Sequence, residues 1–224
     1  MKRLLLFIKG IFYKLGVDIS FVRKEDERSA IEMNEADFSN NAWSDEKLSN
    51  RYLAKEVIKR YQETVSHFKD HDIDISGKSL IDVGCGNGML LKFIADNYDI
   101  SSQSGMEYAP AALEVAAKLN PAAEYIVHDI NQPYPKRYGT VVCTEVLEHI
   151  LSPAKAFRNM LEMVLEGGAM LITVPNGRYD TFTGHINFWS PESWDAFIAE
   201  NSGGLKYSTG KVEKTLIYAI IYKS

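Results

Sequence analysis

The chain has 224 residues, 46% of them hydrophobic and 25% charged, with a formal net charge of -5 at neutral pH. That length supports one sizeable α/β core rather than two, and the acidic balance supplies no global basic field for nucleic acid. Two cysteines, Cys85 and Cys143, both within apolar runs, give neither a disulfide framework nor a CxxC zinc pair, which points to a reducing, cytoplasmic compartment.

The first stretch, "MKRLLLFIKGIFYKLGVDI" (1–19), starts basic and turns apolar. Its uninterrupted apolar run covers only residues 4–8 before Lys9 and Gly10, too short to span a bilayer, and no small-residue cleavage site follows. On a helical wheel Leu4, Leu5, Phe7, Ile8, Ile11, Phe12 and Leu15 fall on one side, and Lys2, Arg3, Lys9 and Lys14 on the other. The spacing predicts an amphipathic helix with a basic polar face. Two destinations stay open for it: the inner face of a membrane as a peripheral anchor, or docking on the domain or on a second copy in a homodimer.

Residues 20–50 are polar and charge-dense and read as a linker. Over 52–68 the spacing of Leu53, Val57, Ile58, Tyr61, Val65 and Phe68 is helical. Strands are then predicted over 80–83, 104–106, 125–127, 141–144 and 170–174, with helices over 89–97, 110–119 and 153–165. Strands that are apolar throughout and alternate with helices call for a parallel sheet covered on both faces. Ser190 and Pro191 open a last helix as N-cap and first position. Two strand-like runs follow, 205–209 and 215–222, with Gly210 in the connection, and these should pair as an antiparallel hairpin. The domain would occupy 51–224.

The sharpest signal lies between the first strand and its helix. Gly84-Cys85-Gly86-Asn87-Gly88 follows Asp82 and places a ligand over backbone amides at a helix N-terminus. A phosphate-cradling loop would need GxxxxGK[ST], and a dinucleotide turn GxGxxG; neither is present. GxGxG behind an acid suits a ligand carrying a carboxylate and an ammonium group rather than a pyrophosphate.

"IDVGCGNG" resembles motif I of the class I S-adenosylmethionine-dependent methyltransferases, and the likeness runs from about Lys78 to the C-terminus. The resemblance implies a Rossmann-like α/β fold, a seven-stranded, mostly parallel sheet with a C-terminal antiparallel hairpin, and S-adenosylmethionine as cofactor. Asp82 and the loop at Gly84, Cys85, Gly86 and Gly88 would hold its methionine part. Glu107, in "GMEYA", stands where an acid chelates ribose hydroxyls, about 20 residues beyond the glycines. Asp129 would accept from the adenine amino group, with the Ile130 amide on a ring nitrogen, and Thr144 at the end of the fourth strand completes the set.

Acceptor residues should follow strands four and five. Glu145, Glu148 and His149 cluster in "CTEVLEHI", where i and i+3 would share one helical face, and His185 lies in an aromatic-rich stretch further on. Two carboxylates and two imidazoles are a plausible set for Mg²⁺ or another divalent ion. ExxEH resembles the metal motif of ubiquinone-pathway O-methyltransferases. With a Pro-Asn and His-x-x-Phe-Trp it also resembles the metal quartet of small-RNA 3′-end 2′-O-methyltransferases. The segment also occurs in this superfamily where no metal is bound, and His149 is then a general base, with Glu145 beside it, or a structural histidine. Tyr179, Phe182, Phe188, Trp189 and Trp194 line an acceptor pocket or fill the core, with Phe188 and Trp189 facing opposite ways. Arg178 either holds an acidic acceptor group or is solvated.

The expected reaction is O-methylation of a small molecule, saccharide or lipid-linked acceptor; nucleic acid is disfavoured by the charge. N- or C-methylation, ribose 2′-O-methylation and a non-catalytic cofactor-binding subunit are the alternatives. An oxidoreductase is disfavoured by the glycine spacing.

Overall fold

The computed structural model describes residues 30–35, 40, 41, 43 and 55–223, so the amphipathic segment 1–19 and most of the linker lie outside the described residues. Seven strands form one sheet: β1 (Ser79–Val83), β2 (Ser102–Glu107), β3 (Glu124–Val127), β4 (Tyr138–Thr144), β5 (Val164–Pro175), β6 (Tyr207–Glu213) and β7 (Leu216–Lys223). Helices α1 (Lys55–Asp70), α2 (Met89–Asn97), α3 (Pro110–Leu119), α4 (Pro153–Glu162) and α5 (Pro191–Asn201) cover it. The strand order is β3-β2-β1-β4-β5-β7-β6. The first five strands run parallel, and β7 is antiparallel to both β5 and β6, as the sequence predicts.

Alternation along the strands divides the core into two layers. Leu80, Val142, Leu171 and Ile220 face Val65, Phe68, Leu91 and Ile94 of α1 and α2. Their neighbours Ile81, Val141, Ile172 and Ile221 face Phe157, Met160, Trp194 and Ile198 of α4 and α5. Each such fully buried aliphatic side chain contributes about 1.5–3 kcal/mol, which is why the central strands carry no polar face. Ser190 caps α5 in a capping box with Ser193, and Pro191 follows it.

Among the boundaries that differ from the sequence reading, two have a clear physical cause. The helix predicted over 153–165 stops at Glu162, and the chain enters β5 at Val164. Tyr138 donates its amide to the Met163 carbonyl at 2.7 Å, which draws that segment into the sheet. Gly210 sits inside β6 rather than in the hairpin connection. A Cβ there would stand 2.7 Å from the Tyr218 ring, so this glycine makes room for a cross-strand aromatic.

Candidate active site

The carboxyl ends of the parallel strands converge on one cavity of about 520 Å³, beside the point between β1 and β4 where the strand order reverses. Its wall takes Val83 and Gly84 from β1 and its turn, Glu107 from β2, Asp129 and Ile130 after β3, and Glu145, Val146 and His149 after β4.

The glycine turn has a different job at each position. Gly84, Gly86 and Gly88 all hold positive φ, of 73°, 49° and 75°. A Cβ on Gly84 would lie 2.3 Å from a Val146 methyl carbon, and one on Gly88 would lie 2.9 Å from Ala116. Those two glycines serve close packing inside the protein. Gly86 is buried as well, and there the Trp43 ring lies 2.8 Å from where a Cβ would stand. The loop amides are also engaged: Gly84 and Cys85 donate to the Met106 carbonyl at 2.8 and 3.0 Å, and Gly88 donates to Cys85. Of the predicted cofactor residues, Gly84, Glu107, Asp129 and Ile130 line the cavity, whereas Asp82, Cys85, Gly86, Gly88 and Thr144 do not.

Two buried acids sit beneath the turn. Glu107 accepts from the amides of Gly86, Tyr108 and Ala109 at 3.2, 2.9 and 3.1 Å. Burial still holds its pKa above the usual range, with those three bonds opposing it. Asp82 is fully buried and its Oδ1 has no partner; burial and then the charge of Glu107 push it up to about 7. A cationic ligand above the turn would relieve both. Asp129 is exposed and accepts from the amide and side chain of Asn131, each at 2.9 Å, in an Asx turn at the cavity wall.

At the opposite end the chain reverses sharply after β4. Glu145 adopts φ 55°, a left-handed conformation that costs a non-glycine residue on the order of 1–3 kcal/mol. Only a three-residue 3₁₀ turn, Leu147–His149, follows. The helical face expected to join Glu145 and Glu148 therefore does not exist. Glu145 turns outward, and both its carboxylate oxygens accept from Arg60 of α1, at 3.0 and 3.2 Å. Glu148 turns inward and is 1% exposed.

The segment after β5 brings in His185. Asn176 and Trp189 form a bridge, and Gly177 donates to the Trp189 carbonyl at 2.7 Å, closing the neck of the excursion 177–189. Its return limb lies along the 3₁₀ turn: the Ile186 and Asn187 amides donate to the Glu148 carbonyl, and the Asn187 side chain donates to the carbonyls of Leu147 and Ile150. His185 thus meets His149 with ring centroids 4.7 Å apart, and its Nε2 lies 4.0 Å from Glu148.

Glu148, His149 and His185 offer ligand atoms that all lie within 4.8 Å of one another. The Glu148 oxygens and His149 Nδ1 are buried without a hydrogen-bond partner, as atoms awaiting a cation or an acceptor group would be. Three of the four predicted metal ligands come together, and Glu145, on Arg60, does not join them. Burial first, and then Glu145, hold Glu148 well above the carboxylate range. Burial and His185 push His149 down to about 4. The cluster forms a partition: His149 lines the main cavity, and His185 lines a second one of about 390 Å³ with Arg60 and Asp180.

Of the aromatics, Phe182 stands half exposed at the cavity, Trp189 and Trp194 are buried, and Phe188 points out. Tyr179 lies under the Lys214 ammonium, 4.6 Å away, and Arg178 pairs with Glu192 at 2.6 Å. Sequence reading missed the N-terminal strap. Asn34 donates to the Gly184 carbonyl at 2.7 Å, its own carbonyl accepts from Tyr108, and Asn40 accepts from the Ala111 amide. What reads as a linker therefore bridges the two ends of the cavity, and Ile31, Met33 and Trp43 are its apolar residues on the wall.

Comparison with known sequences places this geometry. A family profile described as a methyltransferase domain matches residues 49–203. The chain belongs to that methyltransferase family. Among its relatives is the mitochondrial ubiquinone biosynthesis O-methyltransferase of Schizosaccharomyces pombe, 28% identical over 155 residues, 64% of this chain and 56% of the relative. Another is the ubiquinone biosynthesis O-methyltransferase of Pseudomonas savastanoi pv. phaseolicola, 30% identical over 112 residues, 48% of each chain. The chain spans about half the length of the curated relatives it matches. Among solved structures, the N-methyltransferase NodS of Bradyrhizobium japonicum, in complex with S-adenosyl-L-homocysteine, superposes with TM-score 0.65 at 14% identity, covering 85% of this chain and 98% of that one. The DhpI–SAH complex gives 0.67 at 12%, covering 89% and 99%. These likenesses establish the class I methyltransferase fold.

Proposed function

We propose that this chain transfers the methyl group of S-adenosylmethionine to a hydroxyl of a small acceptor with an apolar body. The observation that carries the reading is the Glu148–His149–His185 cluster at the end of the cavity away from Glu107, whose Glu148 oxygens and His149 Nδ1 are buried without a partner. The shared name of the curated relatives, O-methyltransferase, supports the acceptor atom. Ile31, Leu151 and Phe182 line the cavity with 51%, 70% and 52% of their surface exposed, an apolar mouth better suited to a lipid or aromatic body than to a saccharide.

In the proposed reaction the acceptor oxygen attacks the sulfonium methyl in line, the carbon–sulfur bond breaks, and the hydroxyl proton leaves. The chain's part is alignment and proton acceptance. Glu107, Asp82 and Asp129 fix the donor. His149, neutral at physiological pH because its pKa lies near 4, takes the proton at Nδ1, the ring atom without a partner. The donor set also fits a divalent ion, which Glu148, His149 and His185 would hold and which would supply Lewis-acid stabilisation of the alkoxide. An amphipathic 1–19 would bring the chain to a membrane surface where an apolar acceptor dissolves. Flotation of the full chain with anionic liposomes, lost on removing 1–19, tests that step.

The reaction itself is tested with methyl-labelled S-adenosylmethionine and a panel of phenols, catechols and prenyl-chain alcohols. O-methyl products, lost in His149→Ala, are expected. Transfer only to nitrogen or carbon acceptors would contradict the reading.

A further inference from the structure

Asp180 has no part in the reading above, yet it closes one side of the cluster. Its Oδ2 lies 2.5 Å from His185 Nδ1. The two side chains are 7% and 11% exposed, so little solvent competes for that contact. A contact this short between an imidazole nitrogen and a carboxylate oxygen requires a proton between them, which the geometry assigns to the ring. In the neutral form of such a ring the other nitrogen, Nε2, carries the lone pair, and it is the atom facing Glu148. The Asp180 carboxylate is itself fixed, because its Oδ1 accepts from the Phe182 amide at 3.1 Å and its own amide donates to the Asn176 carbonyl.

We propose that Asp180 is a positioning residue: it holds His185 as the Nδ1–H tautomer and aims the bare Nε2 at the space shared with Glu148 and His149. This rests on the reading of that cluster as the acceptor-side chemistry. Carboxylate–imidazole pairs of this kind fix ring orientation and raise the basicity of the free nitrogen. Without Asp180 the ring would be free to turn, or to place its proton on Nε2 and so present a donor where the cluster needs an acceptor.

The direct test is the imidazole ¹⁵N spectrum of the uniformly labelled full chain at neutral pH. The expected result is His185 as the Nδ1–H tautomer in the parent and in Asp180→Asn, whose amide oxygen still accepts. Asp180→Ala should show tautomer averaging or the Nε2–H form. Nε2–H in the parent, or an unchanged spectrum in Asp180→Ala, would overturn the proposal whatever the cluster does.

A second measurement separates this from failure of the wider reading. Co²⁺ alone is titrated into each protein and followed by its visible absorption. If the parent binds, His185→Ala should lose binding, and Asp180→Ala should weaken it about 10–100-fold with partial recovery in Asp180→Asn. Equal affinity in Asp180→Ala and the parent would remove the positioning role and leave the cluster intact. No Co²⁺ binding by the parent would remove the ion but not the tautomer assignment, which the nitrogen spectrum decides by itself. Circular dichroism and S-adenosyl-L-homocysteine affinity unchanged in Asp180→Ala establish that the variant is folded.

Discussion

The two ends of the cavity handle their buried polar groups in opposite ways. At the cofactor end Glu107 is buried yet accepts three amides, and the amides of Gly84, Cys85 and Gly88 are bonded within the protein. At the acceptor end both Glu148 oxygens and His149 Nδ1 are buried with no partner. A satisfied network is rigid before anything binds; an unsatisfied one costs stability until its ligand arrives. On the proposed reading, the donor end is held in shape by its own backbone bonds before anything binds, and the acceptor chemistry is left to a few side chains set at a cost.

If that division is right, the two ends should break separately. The largest effect is expected from Gly86→Val, whose side chain would have to displace the Trp43 ring and adopt φ 49°. S-adenosylmethionine binding should fall below detection by calorimetry while the chain stays folded. Glu148→Ala or His149→Ala should lower turnover about 100-fold or more, the scale of a lost acid–base group. Cofactor affinity should change little in both. A parallel loss of cofactor affinity would show that the ends are one site.

Asp82 sharpens the comparison through pH. Its Oδ1 is buried without a partner, and burial and Glu107 push the group up to about 7. A carboxyl whose pKa is raised on folding contributes stability that is fully present below its ordinary pKa and lost as pH rises through the folded value. Asp82→Asn, with no charge to bury, escapes that loss. Its melting temperature should gain on the parent's steadily between about pH 4 and about pH 8. A gap that does not change with pH would mean that Asp82 ionises in the folded chain at its ordinary pKa.

The smallest effect is expected at Arg60. Arg60 and Glu145 are each about a third exposed, so Arg60→Ala should cost no more than about 1 kcal/mol in urea unfolding. Any larger loss of turnover than of stability would mark Glu145 as part of the chemistry.

The cofactor end was legible in the sequence because its structure is local. A strand, three glycines at positive φ and an acid at the next strand end leave a linear signature that sterics alone explain. The acceptor end was legible only as a set of residue types. Glu145 and Glu148 look like one helical face, but the reversal at Glu145 sends one to Arg60, distant in sequence, and the other into the core. Asp180 and Asn187 carry no signal of their own in the sequence; they meet the cluster only because the 177–189 excursion folds back on the 3₁₀ turn. Asn34 and Trp43 sit in a segment whose composition says linker, and side-chain bonds to distant carbonyls leave no periodicity to read.

Calorimetric titration with S-adenosyl-L-homocysteine into the parent, Glu107→Ala and Glu148→Ala tests the central claim most directly. The account predicts micromolar binding to the parent, loss in Glu107→Ala, and near-parent affinity in Glu148→Ala. No heat with the parent, or an equal loss in both variants, would contradict it.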